Sequence, residues 1–374
     1  MKRLLFLCFF FYNCIVLKAQ DAGEYTHTDQ QALLIPVAKT YSTDSIAAYI
    51  ISNFKTNNER LRAIYIWVTA NIRYDPDSMY VINSDRDTSA RITAALRRRK
   101  GVCENYAAIF NDIVVKTGFP SYIVSGYTKQ GGSIDRTGHT WCAVYLNDEW
   151  YFCDPTWDEG IRGLPRWFLV PPSVFIESHM PFDPIWQLLD NPRSHKEFYA
   201  GRSFFKKKNT IYNSRDSISA YLRSGSQEQL QAAAARIQDA GLENQLLVNR
   251  LRYVKMLINI NREEKDMNLY NAAVKDLNNA NTIFNNYIAY RNMRFLPARP
   301  DAGLNAMLDP VDSIISSANK KLDELAASAT DLQYDPGLLK YKFSALKNKL
   351  QEQKQFLKQY LTTPPPLRET LFYK

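Results

Sequence analysis

The sequence predicts an α+β core followed by an all-α region. Three observations predict it. Apolar residues recur at helical spacing from about residue 44 to Gly118, three strand-like segments then lie between Ser121 and Cys153, and beyond about residue 200 every long apolar pattern is helical again. The 374 residues are enough for two domains, each with a real core. Hydrophobic residues at 45% and charged residues at 23% are ordinary globular values and argue against wholesale disorder.

The first segment reads as an export signal over residues 1–19. Lys2 and Arg3 form a positive start, Leu4 to Leu17 is almost wholly apolar apart from Asn13, and Ala19 is a small residue before polar sequence. The apolar run is short for a membrane span, and an uncleaved anchor is the alternative. Removal takes Lys2, Arg3 and Lys18 away and lowers the formal net charge from +9 to +6. The basic runs 97–100 and 206–208 are short and read as solvated faces rather than a nucleic-acid site. The sequence shows no zinc-ligand spacing, phosphate loop, RNA-binding signature or calcium loop, so no cofactor, no metal and no nucleic-acid partner is expected. Stable membrane insertion after signal cleavage is not expected either.

A helix is expected over residues 44–54. Thr56-Asn-Asn-Glu59 is a capping-box pattern that opens the next, whose buried stripe is Leu61, Ile64, Tyr65, Val68 and Ile72. Pro76 ends it and a polar loop over 77–89 comes next. A third helix spans about 90–99, and a fourth starts at Cys103 and stops at Gly118. The strands are Ser121 to Tyr127, Thr140 to Leu146 and Glu149 to Cys153, the last two joined by the two-residue turn Asn147-Asp148. The later stretches 226–239, 242–259, 262–291, 302–328 and 335–361 form a bundle or helical hairpins. The expected domains are 20–195 and 196–374.

Cys103 comes after Gly101 at a helix start, where unpaired backbone N–H groups and the helix dipole favour a thiolate and can hold an oxyanion. A buried structural thiol is the plainer reading of such a cysteine alone. The hairpin shifts the balance. With Leu146 opposite Glu149, residue 141 faces 154, so His139, Trp141 and Asp154 share one face and His139 lies diagonal to Asp154. That supplies a base and a carboxylate to orient it. The same register sets Cys142 opposite Cys153 on the other face, as a cross-strand disulfide or two buried thiols. His179 and His195 read as structural or surface residues, and Trp141 as packing over the site.

Three stretches, 63–75, 100–127 and 138–157, resemble the core of the transglutaminase-like superfamily. They carry Gly-x-Cys before Tyr-Ala, His-x-Trp opening a strand and Asp-Pro-Thr closing the next. Residues 167–192 resemble the segment after this core in exported bacterial members and in kyphoscoliosis-peptidase-like proteins. The resemblance implies a papain-like arrangement, with a nucleophile helix packed on an antiparallel sheet, and a catalytic set of Cys103, His139 and Asp154. It implies a protease, amidase or transamidase that acts on peptide or protein carboxamides through a thioester, in a periplasmic, surface or extracellular setting. The second reading is a binding scaffold without catalysis, whose helical C-terminal region holds a protein partner. The second oxyanion donor is not assignable, and the 160–195 segment is a candidate cover for the cleft.

Overall fold

The computed structural model describes residues 23–78, 87–160, 164–201, 213–328 and 335–373. The expected export signal, the basic run 206–208 and most of the 77–89 loop lie outside them. By contacts the chain divides into two compact units, Met1–Val254 and Lys255–Lys374. The sequence expectation set the boundary at 195/196; in contact terms the helices between 195 and 254 group with the first unit. Among the described residues no helix is long and apolar enough to cross a membrane.

The first unit opens with helices α1 (Thr26–Leu33), α2 (Thr43–Asn53) and α3 (Asn57–Asn71). The capping box forms as expected: Glu59 N–H donates to Thr56 Oγ1 and Thr56 N–H to Glu59 Oε2, at 3.2 and 2.8 Å. Strand β1 (Arg73–Tyr74), helix α4 (Thr88–Arg98) and strand β2 (Lys100–Gly101) come next, then helix α5 (Cys103–Lys116). Gly118, at φ +95°, ends α5 in a left-handed turn that a side chain resists.

The sheet comprises β3 (Ser121–Gln130), β4 (Ser133–Leu146) and β5 (Glu149–Cys153), then, after the short helix α6 (Pro172–Phe175), β6 (His179–Pro181). Its order is β5-β4-β3-β6, antiparallel throughout. Leu146 pairs with Glu149 and Cys142 with Cys153, the register read from the sequence. Two features exceed that reading. First, β3 and β4 run on to a turn at Gly131-Gly132, both at positive φ, so β4 begins at Ser133 rather than Thr140. Second, β6 adds an edge strand too short to announce itself by alternation.

One face of the sheet buries Cys142, Val144 and Leu146 with α2, α3 and α5; the other buries Val124, Trp141 and Ala143 with Phe152, Phe175 and Trp186. Strand alternation thus places successive residues of β4 in different cores. Helices α7 (His195–Ala200), α8 (Ser214–Arg223), α9 (Ser226–Asp239) and the start of α10 (Gln245–Asn292) complete this unit. The sequence suggested two helices, 242–259 and 262–291. One unbroken helix forms because no glycine or proline interrupts the stretch.

The second unit holds the rest of α10, with α11 (Asp301–Ala306), α12 (Asp309–Ser328) and α13 (Pro336–Thr362). Its core takes residues at alternating three- and four-residue steps, such as Leu304, Leu308, Val311, Ile315, Ala318, Leu322 and Leu325. That spacing lays one apolar seam along each helix.

Candidate active site

Cys103 is the first residue of α5, and several backbone bonds fix it there. Strands β1 and β2 pair in parallel, with Arg73 N–H donating to the Arg99 carbonyl and Asp75 N–H to the Gly101 carbonyl, both at 3.0 Å. No side chain caps the N–H groups of the helix end; instead Asn105 Oδ1 accepts from Val102 N–H at 3.0 Å. Asn105 also explains the glycine of Gly-x-Cys: a Cβ on Gly101 would meet the Asn105 Cβ at 2.5 Å. Tyr106 donates its hydroxyl to the Ile72 carbonyl at 2.5 Å, tying α5 to the end of α3.

His139 lies on β4 opposite Gly126 of β3. Its Nε2 stands 2.6 Å from Asp154 Oδ2, and its side chain is 10% exposed, on the wall of a cleft of about 1020 Å³ that Cys103 also lines. With Nε2 engaged by Asp154, Nδ1 is the ring atom left to interact with Cys103. Burial works against the imidazolium, but the Asp154 charge and hydrogen bond, joined by Cys103, outweigh it and raise His139 to about 10.

Asp154 is fully buried just after β5. Its Oδ1 accepts the backbone N–H of Thr156 at 3.0 Å and of Trp157 at 3.3 Å, while Oδ2 faces two histidines: His139 at 2.6 Å and His179 at 3.1 Å. Burial alone would raise this carboxyl; the charge and hydrogen bond of His139, then His179, hold it well below the usual carboxylate range. The loop beyond is held in turn. Tyr65 Oη lies 2.6 Å from Asp158 Oδ2 and 2.8 Å from the Asp154 carbonyl oxygen, and Asp158 accepts the N–H groups of Arg166 and Trp167.

Of the three residues singled out by sequence, Cys103 from α5 and His139 from β4 line one cleft, and Asp154 from the end of β5 is buried behind the histidine. Residues 44–155, which contain all three, match the family model of the transglutaminase-like superfamily. These residues form a transglutaminase-like core. The superfamily generally comprises Cys-His-Asp acyltransferases and peptidases, and some members are non-catalytic. Kyphoscoliosis peptidase of Homo sapiens is 32% identical over 174 residues, 41% of this chain and 25% of that protein. Hillarin of Drosophila melanogaster is 23% identical over 208 residues, 48% of this chain and 24% of that protein. The chain thus spans about a quarter of the length of the curated relatives it matches. Among solved structures, the periplasmic domain of TgpA from Pseudomonas aeruginosa bound to ethylmercury aligns at 17% identity, over 38% of this chain and 53% of that one, with a TM-score of 0.27.

Within the transglutaminase-like core and the segment after it, alternatives that the sequence left open are resolved. Cys142 and Cys153 face each other but are free, buried thiols: Cys142 Sγ donates to the Ala107 carbonyl at 3.3 Å and Cys153 Sγ accepts from Leu169 N–H at 3.4 Å. Burial pushes the Cys153 thiol up to about 12 and raises Cys142 as well. The 160–195 segment packs mainly behind Asp154, and Phe182 is its contribution to the cleft wall. Tyr74 also lines the cleft, whereas Trp67 is a core residue. Trp141 packs against both histidines, with ring centroids 6.1 Å from His139 and 5.2 Å from His179.

His179 and His195 are not surface residues. His195 is buried, with Nδ1 2.8 Å from the Tyr127 hydroxyl. His179, fully buried, is the residue that sequence reasoning passed over. Its ring stacks on Phe175 at 3.9 Å and touches Trp157 and Trp167 at 4.3 and 4.8 Å. Burial lowers it to about 4 against the opposing pull of Asp154, so it is neutral at physiological pH. Its partners assign the tautomer: Nε2–H donates to Asp154, and Nδ1 accepts from Ser178 Oγ at 2.8 Å. A histidine beside serine, between apolar neighbours, was the faint signal for it.

His139, Asp154 and His179 also present three ligand-type atoms within 4.8 Å of one another. Tetrahedral zinc with bonds near 2.1 Å spaces its ligand atoms about 3.4 Å apart. The 2.6 and 3.1 Å contacts here are shorter than that and match proton sharing instead.

Proposed function

We propose that this protein is a cysteine-dependent acyl-transfer enzyme, with Cys103 as nucleophile, His139 as general acid and base, and Asp154 as the group that orients and charges the histidine. What supports this reading above all is that a cleft-lining thiol and a cleft-lining imidazole share one wall, with the imidazole held 2.6 Å from a fully buried carboxylate. A raised imidazolium beside a thiol is the pairing a nucleophilic cysteine needs.

The reaction proposed is acyl transfer through a thioester. The Cys103 thiolate adds to a carboxamide carbonyl, forming a C–S bond and an oxyanion. The uncapped N–H groups at the start of α5 face this charge and are its natural donors. Collapse of the adduct breaks the C–N bond, and the leaving amine takes its proton from His139. Water or a second amine then attacks the thioester, giving its proton back to His139 as the thiolate departs. The substrate class is a peptide or protein, and the setting proposed for it is outside the cytoplasm, after export directed by residues 1–19.

Iodoacetamide alkylation followed by mass spectrometry tests this at pH 7. Cys103 in the wild type should label at least about tenfold faster than in His139→Ala or Asp154→Asn. Cys142 and Cys153, buried in the core, serve as slow internal references. Equal Cys103 rates in wild type and both variants would sink the catalytic reading and leave a binding scaffold.

A further inference from the structure

We propose that the cleft takes an acyl donor bearing a carboxylate, and that Arg250 is the side chain that anchors it. This rests on the acyl-transfer reading above and adds the substrate's chemistry to it. Buried polar groups are normally hydrogen-bonded, so the exceptions are informative. Three of them line this cleft: Arg91 Nε, Thr156 Oγ1 and Arg250 Nε are buried without a partner. All three can donate. Among the described residues no other buried, unpaired side-chain polar atom lines the cleft to answer them. The site is built to receive an acceptor.

Arg250 stands out among the cleft's cations. Arg98 is paired with Asp75 at 3.2 Å, Arg91 with Glu104 at 3.6 Å, and Arg136 is exposed to solvent, whereas Arg250 is partly buried and has no carboxylate within 4.0 Å among the described residues. The acids near it are committed: Asp183 is held by Arg236 through two bonds of 2.7 Å, and Glu104 by Arg91. Asp135 accepts from Thr128 and Gln130, and Glu159 from Tyr74 N–H. The guanidinium is half-buried, with ring centroids of Phe182 and Tyr253 at 5.9 and 5.5 Å. Those rings lie within cation–π reach but cannot supply a countercharge. A half-buried cation without a partner is costly to the free protein, and a carboxylate offers its planar fork a two-point match.

Epoxysuccinyl peptides provide the test. A thiolate opens the epoxide, forming a C–S bond while the C–O bond breaks and the alkoxide takes up a proton. Two acidic probes are compared with their uncharged amides: one carries a free terminal carboxylate, the other a glutamate side chain. Cys103 alkylation is monitored by intact mass for the wild type, Arg250→Gln, Arg250→Lys and Arg250→Glu, each checked for folding by thermal melting. At least one acid should react about tenfold or more faster than its amide, and which one does identifies the source of the carboxylate. Arg250→Gln should bring that ratio close to one, Arg250→Lys should keep part of it, and Arg250→Glu should drive it below one. Acid-to-amide ratios near one in the wild type, a preference that survives Arg250→Gln, or no labelling by any probe would each overturn the proposal. The iodoacetamide comparison with His139→Ala separates the two failures: if it still shows histidine dependence, the anchor alone is wrong.

Discussion

The two units of the chain hold their charges differently. In the first, the charges around the site's carboxylate and on α3 are buried with specific partners: Asp154 accepts four hydrogen bonds with no exposure, and Arg62 meets Asp29 through two bonds of 2.7 Å. In the second, the core is apolar at three- and four-residue steps, and ion pairs such as Lys340–Asp323 sit at the surface. Removing one partner of a buried pair leaves a charge without water or countercharge, whereas an exposed group returns to solvent. The first unit should therefore be sensitive to single atoms around its site, and the second mainly to the volume of its core.

The largest effect expected is at Gly126. A Cβ there would lie 2.2 Å from the Met180 carbonyl oxygen and 2.4 Å from the Trp141 ring, so β3 could no longer sit between His139 and β6. Gly126→Ala should destabilise the first unit by roughly 3 kcal/mol or more, beyond ordinary overpacking, and abolish histidine-dependent labelling of Cys103. Wild-type melting and labelling in that variant would show the strand can shift freely. Leu322→Ala is the matching probe of the second unit. It should cost about 2–5 kcal/mol there while Cys103 labelling at 25 °C stays unchanged. A parallel fall in labelling would break the distinction between the units.

Next comes pH, where the two histidines on Asp154 act in opposite directions. Folding lowers His179 from 6.5 to about 4, so the unfolded chain binds its proton first on acidification. Its contribution to stability is full above pH 6.5 and shrinks as pH falls towards 4. Folding raises His139 to about 10, so its contribution is full below pH 6.5 and is lost as pH rises through 10. The first unit should be most stable near pH 6.5, with limbs of a few kcal/mol on either side, the alkaline one the larger. Melting curves from pH 4 to 10 should show the acid limb reduced in His179→Phe, with buried His195, also lowered to about 4, keeping the remainder, and the alkaline limb flattened in His139→Ala. His179→Phe should also slow Cys103 labelling, because Asp154 loses one of its four donors. A flat profile in the wild type would mean the histidines do not share the carboxylate in solution.

The sequence made the hairpin register legible because a two-residue turn leaves one pairing, and that register brought His139 to Asp154 without further information. Cys103 was legible from Gly-x-Cys at a helix start. His179 was not. It lies 25 residues beyond Asp154 on a three-residue strand, and its contact depends on β6 pairing with β3, a long-range event with no local periodicity. Arg250 was hidden for the same reason: on its own helix it is one basic residue among several, and only the fold brings it to the wall that Cys103 lines. In the second unit the apolar spacing gave the helices, but their ends depended on glycine and proline positions.

The smallest effect expected sharpens the comparison from the other side. Lys321 Nζ lies 2.5 Å from Asp276 Oδ2, a contact as short as the one between His139 and Asp154, but the two side chains are 30% and 24% exposed. Distance alone would rank the two pairs together. Solvent ranks them apart, because water and salt screen a half-exposed pair and rehydrate either member when the other is removed. Lys321→Met should change the stability of the second unit by less than about 1 kcal/mol, and that change should shrink further at 1 M salt. The loss caused by Asp154→Asn should persist at the same salt. If Lys321→Met instead proves as damaging as Asp154→Asn, burial is not what separates the two units, and the short contact in the helical core has a structural role of its own.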